Sequence, residues 1–440
     1  MQMPTDHHSY ERGPNSARVF IPRLLAIPWR SLIVIFVLAL LMRAAWGMVR
    51  YIRAEDPTAL EFPDEEQYWM MARSLRVGEG LKDELGFQAT RMPLYPAVLS
   101  PFTVMPNGVL AAQALQWLVG ALAAGLTAAT AASLFNRRIG LIAGLLVACD
   151  PFLTFFSSLL LTETPFVAAL VALWWTLSPM TRRDLNDGGI GRWIVVGLLS
   201  AVCVYLRESS LGLVLVAIGF LVVSRRLEWK TVVGAATALG IVVLALVPWA
   251  ARNQSVTGDW CWLTHRAGIS LYDGVGPQAL GASDLGSVKQ SDAVRGLDEV
   301  AWDRYFLEQS LAAIKSDPNR VLRLAGVKLT RIWNPFPNVE AYRSRAVRLI
   351  SATWTIPTFA LAVVGVMLLG ANKNRGGLRT ALFLLLPALY FSALHSLFVG
   401  SVRYRLAAIP MIEILAAFAL ALTIERIRPM KTGDRESAPD

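Results

Sequence analysis

The sequence predicts an all-α protein that crosses a membrane about ten times, and three observations support this fold class. Of the 440 residues, 55% are hydrophobic and only 17% are charged, and the mean hydropathy is +0.47. Apolar runs long enough to cross a bilayer as helices recur along the chain. Basic residues recur in alternate loops between these runs. The net charge of +10 therefore reflects topology and does not indicate nucleic-acid binding.

Ten apolar segments are the predicted membrane spans. They are 31–49, 109–134, 140–158, 160–178, 192–206, 210–224, 231–250, 348–370, 379–398 and 405–424. The stretch 94–105 is apolar but short and flanked by prolines. It can be a re-entrant or interfacial piece, or the start of the second span.

The positive-inside rule places the basic loops, and with them both termini, in the cytoplasm. The predicted organisation is a cytoplasmic segment 1–30, a membrane domain 31–424 and a cytoplasmic tail 425–440. Two loops of the membrane domain, 51–92 and 251–347, then lie on the outer side. We expect juxtamembrane helices there, because the second loop is too long for a simple connector.

That second loop is predicted to contain one helix over 292–315 and another from Pro318 to Trp333. The later helix carries a stripe of basic residues between Arg320 and Arg331, and apolar residues cover much of its remaining surface. A basic amphipathic helix of this kind can lie on a membrane surface.

The polar segment 61–96, between the first two apolar runs, is the candidate functional segment. Three carboxylates, Asp64, Glu65 and Glu66, stand at the start of a predicted helix, and Arg91 follows it. The ordinary interpretation is that Asp64 caps the helix and that the acids suit the positive end of its dipole. The alternative is a polar site at the boundary between water and lipid.

On this topology the ionisable residues near the spans gather at one membrane face. They are Asp64, Glu65, Arg91, Asp150, Glu163, Arg207, Glu208, Arg252, His265, His395, Arg403 and Arg405. Some charges at span ends only extend to the interface, but charges beside apolar spans usually face a cavity. A transporter needs polar groups near the bilayer midplane. The distribution therefore favours a site that handles an amphiphilic substrate at one surface.

The order of the short motifs in the chain resembles a known class of enzymes. These motifs are Asp64-Glu65-x-x-Tyr68, Arg91-x-Pro93-Leu94-Tyr95-Pro96, Asp150-Pro151, Leu161-Thr162-Glu163, Leu206-Arg207, Pro248-Trp249-x-x-Arg252-Asn253 and Arg403-Tyr404-Arg405. Together they resemble the integral-membrane glycosyltransferases of the GT-C class. The similar branches are the protein O-mannosyltransferases and the bacterial transferases that move aminoarabinose to lipid A.

The resemblance implies an enzyme that takes a sugar from a polyprenyl-phosphate carrier and places it on an acceptor with inversion. It implies a bacterial inner membrane, with the active site on the outer face. Asp64, with Glu65 beside it, is implied to be catalytic, because a positioned carboxylate can take the proton of an acceptor hydroxyl. The implied partners are the carrier-linked sugar, membrane lipids and a protein, lipid or glycan acceptor.

The other site residues follow from the chemistry of the donor. Guanidinium groups hold phosphate oxygens well, so Arg91, Arg207 and Arg403 are the first candidates for the leaving phosphate. Arg252 and the basic stripe are second candidates.

Four further residues are predicted to bind substrate: Tyr95, Glu163, His265 and Tyr404. No cofactor is required by the pattern. A divalent metal at His265 and a loop carboxylate remains an alternative. Two other functions would also need many spans and a phosphate site. These are a flippase or exporter of lipid-linked sugars, and a non-catalytic protein that binds the carrier lipid.

Overall fold

The computed structural model describes residues 27–56, 58–181, 189–284, 294–371 and 375–427, and these residues form helices and no strand. The predicted all-α membrane fold is thereby confirmed. The first helices are α1 (Trp29–Arg53), α2 (Pro63–Arg76), α3 (Leu94–Leu99), α4 (Gly108–Leu134), α5 (Arg137–Cys149), α6 (Pro151–Phe156), α7 (Glu163–Leu177), α8 (Gly189–Leu206) and α9 (Ser210–Ser224). The later ones are α10 (Trp229–Thr257), α11 (Ala267–Val275), α12 (Glu299–Ser316), α13 (Pro318–Ile332), α14 (Arg345–Ala371), α15 (Arg375–Leu397), α16 (Val402–Arg405) and α17 (Ile409–Ile427).

Eight of the ten predicted spans each overlap one of these helices, the third overlaps two, the tenth overlaps α17 and the last residue of α16, and the chain is a multi-pass membrane protein. Within the described residues, seven helices are long and apolar enough to cross a bilayer: α1, α4, α7, α8, α10, α14 and α15. The predicted third span is broken at Asp150, and Pro151 stands at the first position of α6, where a proline is favourable. Asp150 follows α5, and its carboxylate caps α6 by accepting the Leu153 N–H at 2.7 Å.

Small residues let the central helices pack closely. Helix α4 is rich in alanine and glycine and packs against α1, α5 and α7, which is typical of packing inside membranes. Helix α14 packs along α17, and a Cβ atom added at Gly365 would lie 2.2 Å from the Leu415 carbonyl oxygen. The approach of these two helices therefore requires glycine at position 365.

Replacing Gly365 by alanine should destabilise the α14–α17 contact by about 1–3 kcal/mol, as overpacking does elsewhere. Thermal unfolding in detergent measures the effect as a lower Tm. Gly370→Ala is the matched control on the same helix, because nothing lies within 4 Å of its added Cβ. Equal Tm values for the two variants would contradict close packing at Gly365.

The loop between α10 and α14 contains the two predicted helices as α12 and α13, and part of the basic stripe binds other parts of the chain. Lys328 is buried and donates to the carbonyls of Ser396 and Leu397, at 3.1 and 2.6 Å. The Arg331 Nε donates to the Gly400 carbonyl at 3.0 Å. These two cations satisfy carbonyls at and beyond the end of α15, whereas Arg323 of the same stripe is 71% exposed. The membrane-surface position of this helix stays a prediction.

Parts of the predicted organisation lie outside the described residues. They are the start of the chain up to residue 26, the end of the tail from residue 428, and residues 285–293 of the long loop. The stretch 94–105 forms α3 and a following 3₁₀ turn, Ser100–Val104, and is separate from α4.

Candidate active site

The start of α2 is fixed by the carboxylate of Glu65. One of its oxygens accepts the backbone N–H groups of Glu61 and Phe62, each at 3.1 Å, and the other accepts the Leu160 N–H at 2.6 Å. The residue is only 2% exposed. Glu65 therefore ties the beginning of α2 to the segment that leads into α7, and it does not line the cavity described below.

Burial raises the pKa of Glu65 to about 7, although the Leu160 N–H and the charge of Arg50 act in the opposite direction. The folded protein then holds this proton more tightly than the unfolded chain, whose pKa is near 4.5. Stability from this group is full below pH 4.5 and is lost as the pH rises through about 7, by on the order of 3 kcal/mol.

We expect the Tm of the wild-type protein to fall over this pH window, and the Glu65→Gln variant to lack that component. Glu66→Gln, which changes an exposed carboxylate in the same helical turn, is the control. Parallel curves of Tm against pH for wild type and Glu65→Gln would contradict the assignment.

Asp64 faces the opposite way and lies in a network of guanidinium groups. Its two oxygens contact Arg91 and Arg403, and its side chain is 26% exposed. Arg403 also contacts Glu163, whose Oε1 receives an Arg207 N–H at 3.1 Å. Burial would raise the pKa of Asp64, but Arg91 and Arg403 outweigh it and hold that pKa well below its usual value. Asp64 is therefore a carboxylate at neutral pH.

Aromatic and amide groups orient the guanidiniums of this network. Gln67 Oε1 accepts the Arg91 Nε–H at 2.8 Å, and the Arg91 guanidinium lies 5.0 Å from the centre of the Tyr68 ring. The Arg207 guanidinium lies 5.4 Å from the centre of the Tyr404 ring. Such contacts favour a cation over an aromatic face, so the arginines are held in place before any substrate arrives.

Two members of the network, Asp64 and Arg403, line the polar end of a cavity of about 1280 Å³. Asp64, Gln67, Arg266, Arg403 and Tyr404 line this end. Most of the remaining wall is apolar and comes from α1, α6 and α14. Four residues of that wall are at least two-fifths exposed on membrane-spanning helices: Met42, Val49, Leu349 and Ile350. The apolar part of the cavity therefore opens towards the lipid.

Arg266 was missed by the sequence reasoning. It lies just before α11 and lines the cavity, and its side chain has no ion pair or hydrogen bond within the described part of the chain. Burial, followed by the nearby charge of Arg91, lowers its pKa. The local sequence gives no sign that Arg266, and not the neighbouring His265, lines the cavity. It is a guanidinium at the polar end that is free to bind an anion.

Of the eight predicted substrate-binding residues, only Arg403 and Tyr404 line the main cavity. Arg91, Glu163 and Arg207 belong to the charged network but do not line the cavity.

The other three predicted substrate-binding residues lie elsewhere. Tyr95 is buried with its ring edge-on to Tyr68, at 5.0 Å between centres. Arg252 donates to the carbonyl and side-chain oxygens of Gln88, at 2.7 and 3.3 Å. His265 lines a smaller chamber beside the cavity. Among the described residues, no group of three or more His, Cys, Asp or Glu side chains is placed to hold a metal ion.

Comparison with known families supports the resemblance seen in the motifs. Residues 91–251 match the family of dolichyl-phosphate-mannose-protein mannosyltransferases. This stretch includes Arg91, Glu163 and Arg207, whereas Asp64 and Arg403 lie outside it. No curated protein sequence matches the chain.

Solved structures match over most of the chain. The oligosaccharyltransferase AglB of Archaeoglobus fulgidus, in complex with an inhibitory peptide and a dolichol-phosphate, matches with a TM-score of 0.59 at 12% identity, over 90% of this chain and 50% of that one. ArnT of Cupriavidus metallidurans bound to undecaprenyl phosphate gives a TM-score of 0.48 at 15% identity, over 89% of this chain and 59% of that one. The chain thus spans about half the length of the archaeal structure. Its likeness to GT-C glycosyltransferases is confirmed, and its fold is theirs.

Proposed function

We propose that the protein is a glycosyltransferase that moves a sugar from a polyprenyl-phosphate donor to an acceptor hydroxyl, with inversion. One observation carries the proposal: a cluster of carboxylates and guanidiniums closes one end of a large apolar cavity that opens to the lipid. An isoprenoid tail fits the apolar part, and a phosphate with its sugar fits the polar end. The match to the mannosyltransferase family supports the same class of reaction.

Asp64 acts as the base. The acceptor oxygen attacks the anomeric carbon, its proton passes to the Asp64 carboxylate, and the bond between that carbon and the phosphate oxygen breaks. A carboxylate held by two arginines is a weak base. When the carrier phosphate binds and attracts Arg403, the counter-charge on Asp64 falls and its basicity rises. Glu65 acts through position, because it fixes the turn that presents Asp64.

The leaving phosphate is held by guanidinium groups. Arg266 and Arg403 line the cavity: Arg266 is available without breaking an ion pair, and Arg403 can exchange a carboxylate oxygen for a phosphate oxygen. Arg91 and Arg207 do not line the cavity, and they can reach the phosphate only by leaving Asp64 and Glu163. Glu163 then receives sugar hydroxyls or keeps Arg207 and Arg403 in place. The alternation of basic loops supports a position of this end of the bundle on the non-cytoplasmic side of the membrane.

The test measures whether the protein breaks the bond between the sugar and the phosphate of the donor. Purified protein in lipid nanodiscs is incubated with polyprenyl-phosphate sugar labelled in the sugar, and with a panel of hydroxyl acceptors. We expect label to leave the lipid and to appear on an acceptor with the opposite anomeric configuration. A flippase or a carrier-binding protein leaves the bond whole. Binding of the donor without release of label would overturn the proposal.

Replacing Arg266 by alanine should weaken binding of polyprenyl phosphate by about 10–100-fold, because a charge-assisted hydrogen bond contributes roughly 1.5–3 kcal/mol. A fluorescent carrier analogue in nanodiscs measures this affinity. Arg323→Ala is the control, because that side chain is 71% exposed on α13. Unchanged carrier affinity in Arg266→Ala would remove Arg266 from the phosphate site.

A further inference from the structure

The segment that carries Arg91 has no regular structure of its own. Residues 87–93, between α2 and α3, form neither helix nor strand. Ala89 and Thr90 are nevertheless buried, at 0% and 4% exposure. Buried backbone N–H and C=O groups need hydrogen-bond partners, and no helix supplies them within this stretch. The position of Arg91 therefore depends on what neighbouring elements offer to the backbone beside it.

The carboxylate of Glu299 provides the acceptors for this backbone. Glu299 is the first residue of α12 and is 7% exposed. Its Oε2 accepts the N–H groups of Gln88 at 2.8 Å and of Ala89 at 3.0 Å. Glu299 thus joins α12 to the chain just before Arg91, across 210 residues of sequence.

Stabilisation of α12 itself does not account for these contacts. An acidic residue in the first turn of a helix commonly suits the helix dipole. In α12, however, Asp298 already caps the helix, because its Oδ1 accepts the Ala301 N–H at 2.8 Å. The Glu299 oxygen instead makes two charge-assisted hydrogen bonds to a distant segment, and such bonds are stronger than neutral ones.

Two further residues hold the other side of the same backbone. The Arg252 guanidinium donates to the Gln88 carbonyl at 2.7 Å and to the Gln88 Oε1 at 3.3 Å. The His265 N–H donates to the Ala89 carbonyl at 2.9 Å. The N–H and C=O groups of Gln88 and Ala89 are therefore all bound by the part of the chain between Arg252 and Glu299.

Arg91 carries this position to the proposed base. Its guanidinium contacts Asp64, its Nε donates to Gln67 Oε1 at 2.8 Å, and its side chain is 11% exposed. The charged and titratable groups that act on Asp64 come from three elements: Arg91 before α3, Arg266 before α11, and Arg403 with Tyr404 on α16. Among them, Arg91 lies two residues from the backbone that Glu299 holds.

We infer that Glu299 is a positioning residue for sugar transfer: its carboxylate holds segment 88–91 so that Arg91 meets Asp64. This inference rests on the proposed function, in which Asp64 is the base. Glu299 does not line the cavity, so it contacts neither the donor nor the reacting atoms. Its effect is therefore on the chemical step and not on binding of the donor.

Titration of Asp64 in the full, donor-free chain tests the positioning without turnover. NMR of protein labelled with ¹³C in its aspartate carboxyl groups follows this residue, whose signal is identified by its loss in Asp64→Asn. Glu299→Ala removes the acceptor of both N–H groups and should raise the pKa of Asp64, because Arg91 is released from it. Loss of the Glu299 charge alone would lower that pKa, since a negative charge is removed. The direction of the shift separates the two effects.

Matched variants separate the reach of the carboxylate from its charge. Glu299→Asp keeps the charge but is one methylene shorter, so it should raise the pKa of Asp64 as Glu299→Ala does. Glu299→Gln keeps an oxygen that can accept both N–H groups, and it should cause no rise. Glu308→Ala changes an exposed carboxylate on the same helix and is the control. The Tm of each variant verifies folding.

Transfer assays measure the consequence for the reaction. Glu299→Ala should lower kcat about 10–100-fold, because a small displacement of an aligned group can cost that much, and should leave KM for the donor unchanged. The acid limb of its pH–rate profile should move to higher pH, following Asp64. Glu299→Gln should restore kcat.

Two outcomes would overturn the inference. In the first, the pKa of Asp64 stays the same or falls in folded Glu299→Ala and Glu299→Asp. In the second, the rise persists when Glu299→Ala is combined with Arg91→Ala, so that it does not pass through Arg91. If the rise depends on Arg91 but the wild-type protein transfers no sugar, Glu299 still positions Arg91 and the proposed function is rejected.

Discussion

Replacing Asp64 by asparagine should lower the rate of sugar transfer roughly 10²–10⁴-fold, the usual contribution of a positioned general base. The amide has nearly the same shape as the carboxylate but cannot accept the acceptor proton. Single-turnover assays with saturating labelled donor measure the chemical step apart from binding. Carrier binding should be retained, because Arg91 and Arg403 lose a competing anion and remain available for phosphate.

Glu66→Gln is the matched control for Asp64→Asn, since it alters an exposed carboxylate two residues away in the same helix. It should transfer sugar at the wild-type rate. An Asp64→Asn variant with wild-type turnover would eliminate this residue as the base and leave Glu163 as the carboxylate of the cluster to test.

Replacing Arg403 by alanine should abolish activity and also destabilise the protein by about 3–5 kcal/mol, which is the effect of removing one partner of a buried ion pair. Arg403 contacts both Asp64 and Glu163, and the Glu163 side chain is only 1% exposed. Without the guanidinium, Glu163 keeps Arg207 as its partner, and two carboxylates face each other. Thermal unfolding and carrier binding measure the two effects separately.

Arg403→Lys separates charge from geometry at this position. It should recover much of the stability and little of the activity, because an ammonium cannot form the fork that reaches two carboxylates. Arg323→Ala, on the exposed side of α13, should change neither property. If Arg403→Ala unfolded at the wild-type temperature and bound the carrier normally, the bridging role would be wrong.

The membrane fold could be predicted from the sequence, and so could the position of the main charged residues at one membrane face. Asp64, Arg91, Glu163, Arg207 and Arg403 come from distant parts of the chain, and topology alone assigned them to the same ends of the spans. Contact between them follows because charges buried at the edge of a bilayer need partners. Their roles in binding and catalysis remain predictions.

Other features depend on tertiary contacts that no local pattern encodes. The local cap explains why one Glu65 oxygen meets the Glu61 and Phe62 N–H groups, but the contact of the other oxygen with the distant Leu160 N–H is tertiary. The basic stripe of α13 has the pattern of a membrane-surface helix, yet Lys328 donates hydrogen bonds to the carbonyls at the end of α15. Arg266 acquires its place only when the loop before α11 folds against the site.

The break after α5 affects how deep in the membrane the proposed reaction centre lies. A helix of 13 residues rises only about 20 Å, whereas the hydrocarbon layer of a bilayer is about 30 Å thick. If Arg137 lies at the cytoplasmic boundary, the chain at Asp150 turns roughly 10 Å short of the opposite boundary. We therefore expect α6 to form a shelf below the plane of the headgroups. A carrier resting on that shelf would not need to be lifted out of the bilayer, since its isoprenoid tail could remain among the acyl chains throughout turnover.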